Sequence, residues 1–177
     1  LGANEARERG DYLCAVDLPH ELTEALRKKT RLRVVAVSHK FPSGGSHGER
    51  AYIARRLLSL YAHAKCVVTS RLHCALPSMA LGTPVQLLPT AKDSYRFDGI
   101  GELVNLSTVS EFLSSTFDPD NPTPNPEDFR VFRRSLIEQV CKFTGCEGPD
   151  PETPPFPFKP LPFSESLFVQ PDETSSQ

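Results

Sequence analysis

Short apolar runs alternate with longer amphipathic ones through the first half of the chain. Residues 12 to 18 (YLCAVDL), 33 to 39 (RVVAVSH), 66 to 70 (CVVTS) and 84 to 89 (PVQLLP) are rich in aliphatic and β-branched side chains. They lack the polar alternation of a half-solvated strand, which predicts strands buried on both faces. Helical spacing fills the gaps. ELTEALRKK at 21 to 29 has its acids early and its bases late, as the helix dipole favours. ERAYIARRLLSLYAHA at 49 to 64 repeats Ile53, Leu57, Leu58 and Tyr61 on one face, which puts Arg50, Arg55 and Arg56 on the wet side. RLHCALPSMALG at 71 to 82 closes on Gly82, where a helix is commonly stopped. Strand, helix, strand, helix, strand, helix, strand predicts an α/β fold, a Rossmann-like parallel sheet with helices on both faces.

Beyond Pro89 the pattern loosens. TAKDSYRFDG reads as a polar loop, IGELVNL as the start of a helix near residue 99, and STVSEFLSS as one more helical turn. The boundaries that follow are a Rossmann-like domain over 1–117, a linker over 118–126 (DPDNPTPNP), an amphipathic helix within 127–145, and a proline-rich tail over 146–177. The helix carries Phe129, Phe132, Leu136, Ile137 and Val140 on one side, a face that needs something to pack on. The tail holds too many prolines for helix or sheet, yet Phe156, Phe158, Phe163 and Phe168 make it apolar. An extended arm, disordered at its end, is expected.

Composition narrows the partners. A net charge of -2 over 177 residues gives no basic field for nucleic acid or anionic membrane, although it allows a local cationic pocket. A small-molecule ligand is the expectation. Five cysteines at spacings matching neither a zinc pattern nor a disulfide framework read as free thiols, with a Cys141–Cys146 bridge the alternative. No apolar run approaches the roughly 20 residues that span a bilayer, and no signal peptide opens the sequence at Leu1, so the compartment is left open.

The chemistry concentrates at SRLH, residues 70 to 73. In a parallel α/β sheet, ligands collect outside the carboxyl ends of the strands, and SRLH stands where the third strand hands over to its helix. Ser70 is expected as the N-cap, with the free amides of the first turn offering a site for phosphate or carboxylate. Arg71 adds a planar fork for either anion, or else serves the ordinary purpose of pairing with a nearby carboxylate. His73 can donate to an anion or act as general acid or base. Pro77 removes the hydrogen bond to the carbonyl of His73, a break in helical regularity beside the candidate site.

Other candidates share that edge of the sheet. His39 ends the second strand beside the loop FPSGGSHGE, in which His47 and the backbone of Ser43, Gly44, Gly45 and Ser46 are weaker candidates for a phosphate. Lys92 and Arg96 follow the fourth strand. Glu102 opens the next helical stretch. Asp93 and Asp98 are loop acids without clustered ligands, so no metal site is expected.

The run AKCVVTSRLHCALPSMALGTPV, 64 to 85, resembles the C-terminal signature of the polysaccharide pyruvyl transferase family: a hydrophobic strand, a polar residue, Arg-Leu-His, a small-residue helix and Gly-x-Pro-Val. RFDGI at 96 to 100 resembles the Arg-Phe-x-Gly segment found downstream, and in organisation the resemblance spans about residues 10 to 115. It implies transfer of the pyruvyl group of phosphoenolpyruvate, as a ketal, onto a sugar of a glycan, with no cofactor beyond that donor. It also implies a fold like the two-domain glycosyltransferases of the B type, and it marks Arg71, Leu72 and His73 as the triplet implicated in donor recognition. Ser70, His39 and Arg96 complete the expected substrate-binding set, with His73 the catalytic candidate. An N-terminal half would close the cleft, so this chain is expected to be a C-terminal half, inactive alone. Two alternatives stay open: a nucleotide-sugar glycosyltransferase of the same fold, and a non-catalytic scaffold acting through its proline-rich arm.

Overall fold

The computed structural model describes residues 10–40, 45–89, 97, 99–114 and 117–148. The expectations for Ser43, Gly44, Lys92, Asp93, Arg96, Asp98 and most of the proline-rich tail lie outside them.

Four strands form one all-parallel sheet: β1 (Tyr12–Val16), β2 (Arg33–Val37), β3 (Cys66–Thr69) and β4 (Val85–Leu87), in the spatial order β2-β1-β3-β4. Register runs straight across the sheet, with Val16 opposite both Val37 and Thr69, and Thr69 opposite Leu87. Every residue of β1, β3 and β4 is buried, as strands covered on both faces require. The edge strand β2 is only partly buried. Beyond β4 a single parallel bridge joins Leu87 to Leu106.

Helices α1 (His20–Lys29), α2 (His47–His63) and α3 (Leu72–Ala80) are the three crossovers. Side chains alternate faces along a strand, so Cys14, Val16, Val67 and Val85 pack with Leu57, Leu60 and Tyr61 of α2 and Cys74, Ala75 and Met79 of α3. Leu13, Ala15, Cys66 and Val68 pack on the other face with Leu22 and Leu26 of α1 and Phe112 of α4 (Val109–Ser114). The predicted α/β architecture is thus present, helices on both faces. From β1 the chain steps to β2 and then crosses back over to β3, so the carboxyl ends of β1 and β3 flank the switch point where such sheets bind ligands.

Several local expectations change. Asp17 and Leu18 leave the first strand, because Asp17 adopts φ of 50°, a left-handed conformation that ends a strand. Helix α2 starts at His47 rather than at 49: Ser46 accepts from the amide of Glu49 while the Glu49 carboxylate accepts from the amide of Ser46, a capping box. His47 is therefore helical, not a loop residue. Arg50 and Arg55 are exposed, but Arg56 is buried, its Nη1 donating to Tyr52 Oη at 3.1 Å. Its guanidinium lies over the Tyr52 ring, 5.6 Å from the centroid, a burial that one-face periodicity does not anticipate. The expected helix near 99 is a short 3-10 turn, Gly101–Leu103, with Glu102 exposed.

Residues 117–126 carry no regular element yet are fastened to the sheet. Asn125 accepts from the amide of Val85 through Oδ1 and donates to the carbonyl of Thr83 through Nδ2, standing in for a strand partner. The Asp120 carboxylate accepts from Thr30 Oγ1 and from the amide of Arg31. Helix α5 (Phe129–Thr144) then buries no residue, with Phe132 and Leu136 each 63% exposed. All five cysteines are free, Cys14, Cys66 and Cys74 being buried; thus no Cys141–Cys146 bridge forms.

Core and helix face should answer differently to truncation. Leu13→Ala empties a fully buried site in the central strand and should cost about 3 kcal/mol of unfolding free energy in urea titration, whereas Leu136→Ala on α5 should stay within about 0.5 kcal/mol.

Candidate functional site

Three strand ends converge on one carboxylate. Asp17 follows β1, and its left-handed backbone turns the chain out of the sheet while its amide still donates to the carbonyl of Val37 in β2 at 3.0 Å. Aspartate tolerates this conformation better than most residues with a Cβ. Oδ1 accepts from Ser38 Oγ at 2.6 Å and from the amide of His39 at 3.3 Å, which fixes the chain after β2. Oδ2 accepts from Arg71 Nε at 3.1 Å, and the Asp17 carbonyl accepts from Ser70 Oγ at 2.9 Å, which fixes the chain after β3. A carboxylate whose side chain is 5% exposed is tolerable only because its oxygens are so fully engaged.

The expected N-cap is therefore corrected. The N-cap position belongs to Arg71, no side chain caps α3, and the Ser70 hydroxyl is engaged by Asp17. Thr69 shapes the turn instead, accepting from the amide of Arg71 at 3.0 Å while donating to the carbonyl of Val16 at 3.1 Å. The first intrahelical bonds of α3 run from Cys74 and Ala75 to the carbonyl of Arg71, so the amides of Leu72 and His73 precede the helical ladder. Pro77 lies inside the helix and leaves the His73 carbonyl without its usual donor.

Arg71 takes the carboxylate-pairing part foreseen for it. Its Nε pairs with Asp17, and its side chain is nonetheless 52% exposed. Leu72 is half-buried and packs against the core. His73 is exposed and makes no hydrogen bond among the described residues, yet it lies near enough to act electrostatically on His39. Arg96 and Lys92 fall outside the described residues, so of the expected set the structure gathers Ser70, Arg71, Leu72, His73 and His39.

His39 brings a second feature. Its Nε2 lies 2.6 Å from Tyr61 Oη, and Tyr61 in turn hydrogen-bonds to the thiol of Cys74 in the first turn of α3. Burial pushes the Tyr61 hydroxyl far above the ordinary phenol range, and pushes the Cys74 thiol up to about 11 against the contrary pull of its hydrogen bonds. Both keep their protons. Burial also lowers the His39 pKa, opposed by the Asp17 carboxylate and helped by the positive charges of Arg71 and His73.

Sequence reasoning missed Asp17, Thr69, Tyr61 and Cys74 as parts of this site. For Asp17 a signal existed: an acid closing a wholly apolar strand must end it or find partners. For Tyr61 and Cys74 there was none, since both read as core residues.

Residues 16–89 match the family model described as polysaccharide pyruvyl transferase. Over that span the chain is similar to this family. No curated protein matches the chain. The pyruvyl transferase span takes in Asp17, His39, Tyr61 and the whole β3–α3 junction, and stops short of the RFDGI segment. The matched family's description names a coarse activity, a transferase acting in pyruvylation of polysaccharide.

Two outcomes test the geometry. Asp17→Ala should lose roughly 2 kcal/mol, because it strands part-buried donors of Ser38 and His39 and puts a Cβ without a local acceptor in left-handed backbone, while Asp17→Asn should lose about half that; chemical denaturation measures both. For His39, a native pKa held below 6.5 means the unfolded chain binds more protons, so stability should fall as pH drops through that value, and His39→Asn should flatten the unfolding free energy against pH there.

Proposed function

We propose that the β3–α3 junction binds phosphoenolpyruvate and that the protein transfers its pyruvyl group, as a ketal, to two hydroxyls of a glycan sugar. Support comes chiefly from one observation: Arg71 and His73 sit on the first turn of α3, at the switch point of the sheet, within the family span. The donor carries a phosphate and a carboxylate, which need separate anchors. The free amides of Leu72 and His73 with the terminal amino groups of Arg71 form one anchor. The exposed imidazole of His73 forms the other.

The reaction sets further demands. Two carbon–oxygen bonds form at the enol carbon as its bond to the phosphate oxygen breaks. One acceptor proton ends on the methylene carbon, which becomes a methyl group, and the other leaves with inorganic phosphate. An imidazole beside the donor can deliver the proton to carbon or meet the departing phosphate. His73, exposed and free of hydrogen bonds to described residues, is the residue for that transfer. In this reading the chain works with a second Rossmann-like half that closes the cleft, and the exposed apolar face of α5 is the surface available for it to cover.

Phosphoenolpyruvate at about a hundred times its dissociation constant should add about 2.7 kcal/mol of stability and raise the melting temperature by roughly 5 to 10 °C. Arg71→Ala and His73→Ala should each remove that shift, and uridine or guanosine diphosphate sugars should produce none. A shift that survives in both variants would sink the assignment.

A further inference from the structure

His39 stands at the carboxyl end of β2, facing the same Asp17 that holds Arg71, and its ring nitrogens have unequal surroundings. Nε2 meets Tyr61 Oη at 2.6 Å, while Nδ1 has no hydrogen-bond partner among the described residues. The Tyr61 hydroxyl is buried and has two neighbours that could take its proton: Nε2 of His39 and the sulfur of Cys74. Neutral imidazole nitrogen is a good acceptor and a thiol sulfur a poor one, whereas the thiol can itself donate. The consistent direction for the short contact is Tyr61 Oη–H to His39 Nε2. That direction places the only ring proton of a neutral His39 on Nδ1.

We propose that Tyr61 is a positioning residue that locks His39 as the Nδ1–H tautomer, so that a neutral imidazole donates a hydrogen bond to an anionic oxygen of the donor substrate. The arrangement gives the site a donor that needs no charge. It matters because Asp17 already offsets Arg71, and because an imidazolium at His39 would be repelled by the Arg71 guanidinium; burial, which lowers the His39 pKa, works the same way. The inference rests on the phosphoenolpyruvate reading for the identity of the ligand, and on Tyr61 and His39 alone for the tautomer.

Ring-nitrogen NMR of the full chain, without ligand and near neutral pH, tests the tautomer directly. His39 should show a protonated Nδ1 and an unprotonated Nε2, and Tyr61→Phe, which keeps the ring in its packing, should shift it toward Nε2–H. A parent ring protonated at Nε2 would overturn the proposal whatever the ligand does. Titration with phosphoenolpyruvate then reads the consequence. His39→Ala and Tyr61→Phe should weaken binding about tenfold, and His39→Asn, whose amide nitrogen overlies Nδ1, should recover most of it, while His39→Gln, whose amide overlies Nε2, should not. If Arg71→Ala abolishes binding while Tyr61→Phe binds as the parent does, the donor site stands and this inference falls. If the parent chain does not bind phosphoenolpyruvate, the site reading fails, and the contact between Nδ1–H and the donor substrate fails with it.

Discussion

The buried carboxylate of Asp17 is the constraint from which the carboxyl edge of the sheet is built. A charge in that position costs several kcal/mol to remove from water unless partners offset it, and the partners come from both neighbouring strands. Ser38 and the His39 amide answer from β2, Arg71 from the end of β3, and Ser70 binds the carbonyl of the same residue. Loops that would otherwise leave the sheet independently are tied to one residue. The left-handed backbone at Asp17 makes this possible, since it turns the chain sharply and brings the carboxylate back over the strand ends.

A consequence for the chemistry is that Arg71 is held rather than free. Its Nε is fixed against a nearly inaccessible oxygen while the rest of the guanidinium stays accessible, so a long cationic side chain is presented with few rotamers left to lose on binding. The histidines divide differently. His73 is exposed on the helix, whereas His39 is half-buried and hydrogen-bonded through Nε2 to the buried Tyr61. One sheet edge thus offers a held cation, an exposed imidazole and a half-buried imidazole within a single electrostatic neighbourhood.

Much of the fold could be read from apolar periodicity because burial on both faces leaves a strand few polar options. β1 is a continuous apolar run for that reason, β3 and β4 are apolar but for Thr69 and Gln86, and the crossover helices betray themselves by a 3.6-residue repeat. Errors cluster where a local rule met a tertiary competitor. Ser70 has the right chemistry for an N-cap, but the Asp17 carbonyl lies within reach and takes its hydroxyl. Arg56 belongs to the polar set by composition, yet the flank of α2 where it sits is covered. The run 118–126 has the composition of a loose linker, and Asn125 uses the same polarity to extend the edge of the sheet at β4.

By itself the sequence determined the order of strands and helices, the parallel sheet that such an order implies, and the residues of the Arg-Leu-His junction, because each is written in spacing along the chain. The strand order, and hence which carboxyl ends become neighbours, was decided only by the tertiary structure, since parallel pairing joins residues far apart in sequence. The same is true of the partnerships that give the junction its character. Asp17 and Arg71 are 54 residues apart, and His39 and Tyr61 are 22 apart. No local periodicity relates them; they meet because β2, β1 and β3 end at one level and α2 and α3 pack on the same face.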